Sequence, residues 1–170
     1  MREMPVWIAP PHPPLHAIAF EAMQARVHHA VSLCAPVFKI YLVEDSPVIR
    51  ENLIATLEEL LPVKVVGMAE DETAAVRWLG DASHVVDLVI VDIFLRSGSG
   101  LGVLRAAQAL QHRYRLVVLS NHATSYVRRE CLSLGAERVF DKSNEIDDLM
   151  EYCGQLVASD RSGKDPRGPV

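Results

Sequence analysis

Apolar and polar positions alternate with two different periods along the middle of the chain. Short apolar runs rich in β-branched residues predict strands at 39–43, 63–67, 85–91, 116–119 and 138–140. Apolar residues at helical spacing predict helices at 47–61, 71–81, 100–111, 124–134 and 144–158. Strands that are apolar on both faces and separated by helices are typical of a parallel sheet covered on both sides. We therefore expect an α/β fold, a doubly wound (βα)5 parallel sheet, over residues 39–158.

Local signals mark several helix ends. Ser46 before Pro47 predicts an N-cap, with proline at the first helical position. Ser143 or Asn144 is expected to cap the last helix, and Gly135 is placed to stop the fourth.

The two ends of the chain follow a different pattern. Residues 1–38 form an N-terminal extension in which apolar positions at helical spacing predict one amphipathic helix from Leu15 to Cys34. The apolar stripe of this helix must be buried, either against residues 39–158 of the same chain or against a second subunit, and a homodimer is our hypothesis. Residues 159–170 are polar and rich in Gly and Pro, which predicts a disordered tail.

Charge and cysteine content narrow the class of protein. A formal net charge of −5 over 170 residues argues against a nucleic-acid binder, which normally shows a basic face. The three cysteines are scattered and lack metal-ligand spacing, which is typical of a reduced compartment. No apolar run approaches the roughly 20 residues of a membrane span, and no signal-peptide pattern opens the chain. We expect a cytoplasmic protein with neither nucleic-acid nor membrane partners.

Polar side chains follow four of the five predicted strands. In a doubly wound sheet the binding site lies outside the carboxyl ends of the strands. Three converging carboxylates repel one another unless a cation neutralises them, and oxygen ligands with room for water suit Mg²⁺. An Asp can act as a nucleophile toward phosphorus, while a lysine and a hydroxyl can hold phosphoryl oxygens. The residues at these strand ends are Glu44, Asp45, Asp92, Ser120 and Lys142.

Four segments together resemble the receiver domain of response regulators, the CheY-like family of two-component signalling. Residues 39–47 (KIYLVEDSP) are similar to its opening, and 89–100 (VIVDIFLRSGSG) to its phosphoacceptor strand and loop. Residues 117–121 (VVLSN) and 135–142 (GAERVFDK) are similar to its fourth-strand end and its lysine motif. The resemblance implies a CheY-like or flavodoxin-like fold. It covers residues 39 to about 158.

The resemblance also implies a metal site and a phosphoacceptor. Asp92 would accept the phosphoryl group and bind Mg²⁺. Asp45 would be a second direct metal ligand, Glu44 would act through water, and the backbone carbonyl of Phe94 would supply another ligand.

The phosphoryl group would be held by Ser120 and Lys142. A sensor histidine kinase or a phosphotransfer protein would supply it, and a downstream protein would receive the signal.

The chain departs from the common family pattern at three positions. Val139 stands where an aromatic residue often takes part in switching, Ser143 follows the lysine in place of proline, and Arg96 stands at a loop position that is often proline.

Three other functional interpretations fit the residues less well. A phosphatase of the haloacid dehalogenase type uses an Asp-x-Asp pair, but the second position here is Phe94, which cannot donate a proton. The glycines at 98–102 have the spacing G-x-G-x-G rather than that of a nucleotide-binding loop, so a turn into a helix is the better interpretation. The four histidines at 12, 16, 28 and 29 lack a set of converging ligands and are interpreted as solvated or packing residues.

Two functions of different class remain. The first is a single-domain response regulator, which catalyses only its own phosphorylation and dephosphorylation. It would signal through a partner protein or an altered oligomeric state, or serve as a phosphorelay intermediate. The second is a structural pseudo-receiver, whose N-terminal helix builds a constitutive complex. The full set of acidic, hydroxyl and lysine residues favours the first.

Overall fold

The computed structural model describes residues 37–110 and 114–162, all of which belong to one compact unit that begins at Val37. The predicted N-terminal helix and the polar residues after Ser162 lie outside the described residues. The elements in chain order are β1 (Phe38–Val43), α1 (Pro47–Leu60), β2 (Val63–Ala69), α2 (Glu72–Leu79), β3 (Leu88–Val91), α3 (Gly100–Ala109), β4 (Arg115–Ser120), α4 (Ser125–Ser133), β5 (Arg138–Asp141) and α5 (Ile146–Arg161). Within the described residues, no helix is long and apolar enough to cross a membrane.

The five strands form one sheet in the order β2-β1-β3-β4-β5, and every neighbouring pair is parallel. The predicted doubly wound (βα)5 sheet is therefore confirmed. Side chains alternate across the sheet, so Ile40 and Leu42 of β1 point into one core while Tyr41 and Val43 point into the other. The first core includes buried residues of α1 and α5, and the second includes those of α2, α3 and α4.

Two predicted element boundaries were wrong by three residues, and the others lie within two residues of the prediction. β3 begins at Leu88 rather than at 85. Asp87, which directly precedes the strand, contacts the backbone of Lys39 in β1. Its carboxylate accepts from the Lys39 amide at 2.7 Å, and its own amide donates to the Lys39 carbonyl at 2.9 Å. The last helix continues to Arg161, three residues into the segment predicted as a tail. Polar residues on the solvent side of a helix carry no signal for its end.

The predicted caps are confirmed at two of three places. The Ser46 hydroxyl accepts from the Ile49 amide at the start of α1, and Gly135 adopts a φ of 92° after α4. The cap of α5 was wrong. Glu145 occupies that position and makes no side-chain capping bond.

The three glycines of 98–102 all lie in close contact with neighbouring groups. A Cβ at Gly98 or Gly102 would lie 2.4 or 2.1 Å from atoms of the Glu72 side chain, and Gly98 also has a φ of 77°. The Glu72 carboxylate lies at the start of α3, where it accepts from the Ser99 amide at 2.8 Å. The segment thus leads into a helix, as its spacing predicts, and its glycines make room for a carboxylate of the same chain.

Gly100 differs from the other two glycines because it approaches backbone atoms rather than a side chain. A Cβ there would lie 2.1 Å from the backbone carbonyl oxygen of Asp92, which cannot move away as a side chain would. We expect Gly100→Ala to lower the free energy of unfolding by about 1–3 kcal/mol in urea titrations. Gly154→Ala is the matched control, because its Cβ would meet only Leu61 Cδ2 at 3.5 Å, within a helix where alanine is favoured. Equal stability of the two variants would contradict this account.

Candidate functional site

Three carboxylates converge at the carboxyl edge of the sheet. Glu44 and Asp45 follow β1, and Asp92 follows β3. The two strands are neighbours in register, with Val43 opposite Val91, so the residues after them emerge side by side. One carboxylate oxygen from each of the three residues lies within 4.8 Å of the others. Glu44 and Asp92 are buried, at 2% and 5% exposure, and Asp45 is half-buried.

Lys142 compensates the negative charge of the two buried carboxylates. Its Nζ lies 2.5 Å from Glu44 Oε2 and 2.6 Å from Asp92 Oδ2, and its side chain is only 6% exposed. The second oxygen of each carboxylate accepts from a backbone amide, of Ser46 for Glu44 and of Phe94 for Asp92, both at 3.1 Å. Buried charges persist when they are paired and hydrogen-bonded, and both conditions are met here.

Ser120 ends β4 and is fully buried. Its hydroxyl accepts from the His122 amide at 3.5 Å, and its carbonyl accepts from the Lys142 amide at 3.1 Å. The backbone bond links the segment that carries the hydroxyl to the segment that carries the ammonium group. Ser120 does not line the cavity described next, whereas the two residues that follow it do.

A cavity of about 320 Å³ opens above the carboxylates. Phe94 is half-exposed at this cavity and meets the His122 ring edge-on, with ring centroids 5.2 Å apart. The lining residues are Glu44, Asp45, Ser46, Ile49, Asp92, Phe94, Asn121, His122 and Lys142. All the site residues expected from the sequence except Ser120 therefore border one open space large enough for a phosphoryl group.

The donor set fits a hard divalent cation. Three carboxylate oxygens that converge beside an open cavity leave room for water ligands, which is the environment Mg²⁺ prefers. Asp45 is the most accessible of the three, and its nearest cation is Arg96, whose exposed Nε lies 4.0 Å from Asp45 Oδ2. An ion pair so long and so exposed contributes little to stability, so it would not prevent a metal ion from binding.

Sequence reasoning missed Arg50, which supports the first acidic loop. This residue of α1 is buried, donates to the Glu44 carbonyl at 3.0 Å, and pairs with Glu70 at 3.0 Å. A signal was present, because Arg50 shares the buried face of α1 with Leu53 and Leu57 at spacings of three and seven residues. A charged residue on an apolar helix face indicates a polar partner in the fold.

The two cysteines in the described part of the chain take no part in this site. Cys131 and Cys153 are free and buried. Burial raises the pKa of the Cys131 thiol to about 11 and that of the Cys153 thiol to about 12. Because the thiolate is the reactive form, burial disfavours nucleophilic chemistry at both residues.

Comparison with known protein families is consistent with this geometry. The family model described as the response regulator receiver domain matches residues 40–153. Response regulator UvrY of Escherichia coli (strain K12) is 25% identical over 127 residues, which cover 71% of this chain and 57% of UvrY. Fimbriae Z protein of Salmonella typhimurium (strain LT2) is 24% identical over 119 residues, which cover 70% of this chain and 56% of that protein. The chain thus matches little more than half the length of these relatives.

A third relative is an enzyme by its name. Protein-glutamate methylesterase/protein-glutamine glutaminase 5 of Myxococcus xanthus (strain DK1622) is 30% identical over 127 residues, which cover 73% of this chain and 36% of that protein. This chain matches the receiver portion only.

Solved structures show the same fold. The receiver domain of the response regulator NarL from Mycobacterium tuberculosis gives a TM-score of 0.65 at 21% identity, covering 73% of this chain and 98% of that one. The response regulator domain of Thermotoga maritima CheB gives 0.62 at 20% identity, covering 77% and 100%. A response regulator from Burkholderia pseudomallei, solved with a phosphorylated aspartic acid, a calcium ion and citrate, gives 0.60 at 19% identity, covering 78% and 76%.

The strand order, the acidic cluster with its lysine and the family match over most of the chain lead to the same assignment. The chain belongs to the family of response regulator receiver domains of two-component signalling.

Proposed function

We propose that this chain accepts a phosphoryl group on Asp92 in a Mg²⁺-dependent reaction and signals through a partner protein or an altered oligomeric state. The observation that carries the proposal is the position of Lys142, whose Nζ bonds Asp92 and Glu44 at once beside an open cavity. The similar protein from Burkholderia pseudomallei was solved with a phosphorylated aspartic acid and a calcium ion. A buried aspartate within a cluster of three carboxylates supports the proposal of an aspartyl phosphate and a divalent cation here.

The reaction is an in-line displacement at phosphorus. A carboxylate oxygen of Asp92 attacks the phosphorus of a phosphodonor, the bond from phosphorus to the donor breaks, and the donor leaves with its electron pair. The product is a mixed anhydride on Asp92. Mg²⁺ bound by Asp45, Asp92, the Phe94 carbonyl and, through water, Glu44 would neutralise charge on the phosphoryl oxygens.

Lys142 and Ser120 act on the transferred group. Lys142 bonds the carboxylate that is modified, so its ammonium group lies where phosphoryl oxygens arrive and where their charge grows. The Ser120 hydroxyl would donate to a phosphoryl oxygen after rotating from its present contact with the His122 amide. Both groups act by positioning and charge, which is how proteins catalyse phosphoryl transfer.

The partners follow from the chemistry of the acceptor. A sensor histidine kinase or a phosphotransfer protein would donate the phosphoryl group, and a downstream protein would recognise the phosphorylated form. We propose a cytoplasmic location and no nucleic-acid partner for this part of the chain. The expected homodimer through the helix at 15–34 lies outside the described residues and stays a prediction. The complete set of reactive groups favours a switch over a constitutive pseudo-receiver.

Modification of Asp92 is testable by mass. Incubation with acetyl phosphate and Mg²⁺ should add one phosphate to the wild-type chain and none to Asp92→Asn, because the amide is not a nucleophile. Asp87→Asn makes the same chemical change at the opposite edge of the sheet, where the carboxylate only accepts from the Lys39 amide. That control should still gain the phosphate. If the Asp92→Asn variant gained phosphate at the wild-type rate, Asp92 would be ruled out as the acceptor.

Metal dependence is tested at Asp45. We expect Asp45→Ala to weaken Mg²⁺ binding by at least about tenfold in calorimetric titrations, since it removes an accessible anionic ligand. Asp81→Ala removes a carboxylate that accepts only from Ser83 in a turn, and it should leave the affinity unchanged. Phosphorylation should cease in EDTA. Equal phosphorylation with and without EDTA would contradict the metal mechanism.

The lifetime of the phosphorylated state should depend on Phe94. Its ring is 53% exposed at the cavity beside the Asp92 site and contacts His122, so it restricts the space from which water approaches phosphorus. Phe94→Asn should shorten the half-life in a single-turnover dephosphorylation assay, because it removes bulk and adds a hydrogen-bonding group that can orient water. Phe94→Leu keeps an apolar side chain and should stay near wild type. An unchanged or longer half-life for Phe94→Asn would show that Phe94 is not the barrier.

A further inference from the structure

Arg128, in the first turn of α4, joins three segments of the chain through one side chain. Its Nε donates to the Ala123 carbonyl at 3.0 Å, and one terminal nitrogen donates to the Val139 carbonyl. The other terminal nitrogen donates to Glu145 Oε2 at 2.7 Å. The loop before α4, strand β5 and the loop before α5 are therefore fixed to a single planar group.

Glu145 completes this arrangement. The oxygen that accepts from Arg128 also accepts from the Asp141 amide at 2.6 Å. The Arg128 hydrogen bond, followed by the Asp141 amide, holds the pKa of the Glu145 carboxyl below its usual range, so the pair is ionised at neutral pH. This use of the carboxylate explains why Glu145 does not cap α5.

Both anchored loops carry residues of the proposed phosphoryl site. Ala123 lies three residues after Ser120, and Asp141 immediately precedes Lys142. The Lys142 amide donates to the Ser120 carbonyl at 3.1 Å, so the two segments already touch next to the site. β4 and β5 are also paired as neighbouring strands up to Ser120 and Asp141. Arg128 extends this connection beyond the paired residues, because it joins the loop after Ser120 to β5 through the Ala123 and Val139 carbonyls.

The side chain of Val139 in β5 does not connect the two segments; Arg128 does. Val139 is small and buried, and the contact with Arg128 is made by its carbonyl rather than by its side chain. Lysine could not substitute for the arginine, because an ammonium group is a point donor whereas the guanidinium presents donors in a fixed fork. A half-exposed ion pair by itself contributes little to stability, so the main effect of this pair is geometric.

We propose that Arg128, anchored by Glu145, is a positioning residue for phosphoryl transfer. It holds the loops of Ser120 and Lys142 at the separation that a phosphoryl group on Asp92 requires. This inference rests on the proposed function. Arg128 and Glu145 also line a groove of about 530 Å³ beside α4, β5 and α5.

The test separates positioning of the loops from general stability. In Arg128→Ala we expect phosphorylation by acetyl phosphate to slow by on the order of tenfold, and fluoroberyllate binding to weaken in parallel. Mg²⁺ affinity should stay at the wild-type value, because the metal ligands follow β1 and β3. Arg128→Lys should resemble Arg128→Ala, since the charge remains but the fork is lost.

Two further variants serve as the milder change and the control. Glu145→Gln keeps an oxygen acceptor and should slow phosphorylation less than Arg128→Ala. Arg129→Ala removes an exposed arginine from the same helix and should behave as wild type. Wild-type phosphorylation in Arg128→Ala, an equal loss in Arg129→Ala, or a parallel loss of Mg²⁺ affinity would overturn the inference. A wild-type chain that neither gains phosphate nor binds fluoroberyllate would instead overturn the proposed function.

Discussion

The crowding of negative charge at one edge of the sheet is the constraint on which the rest of the site depends. β1 and β3 are adjacent and parallel, so Glu44 and Asp92 must emerge together, and both are buried. Buried carboxylates repel one another unless a cation compensates them. Lys142 supplies that cation from the position directly after β5, an edge strand of the sheet, and its ammonium group bonds both carboxylates. The ion pairs that compensate the buried negative charges also place a positive charge beside Asp92, the proposed nucleophile.

The packing around this edge keeps the acidic loops from moving apart. α3 begins so close to the loop after β3 that only glycine fits at position 100, against the Asp92 carbonyl. The Glu72 carboxylate fills the space that Gly98 and Gly102 leave, and it accepts from the amide of Ser99. Loops that carry reactive groups are often mobile, whereas here glycines bring backbone and carboxylate into direct contact. The site is thus held by backbone geometry as well as by ion pairs.

Two arginines secure the loops at either side of the site, and both do so through backbone carbonyls. Arg50 bonds the Glu44 carbonyl on one side, and Arg128 bonds the Ala123 and Val139 carbonyls on the other. Each arginine is also paired with a glutamate, which holds the guanidinium in place. Guanidinium groups suit this role because their donors lie in one plane at fixed angles.

The amino-acid sequence by itself determined the five strand–helix units and the carboxylates, hydroxyl and lysine at the strand ends. These follow from local periodicity and from the rule that parallel strands end at a common edge. Only the tertiary structure decided which atoms meet across long separations, as when Lys142 bonds Glu44 98 positions away. It also showed that Glu145 pairs with Arg128 rather than capping α5, and that Ser120 is buried away from the cavity surface. Such choices depend on the packing of segments distant along the chain, and local patterns of apolar and polar residues contain no information about them.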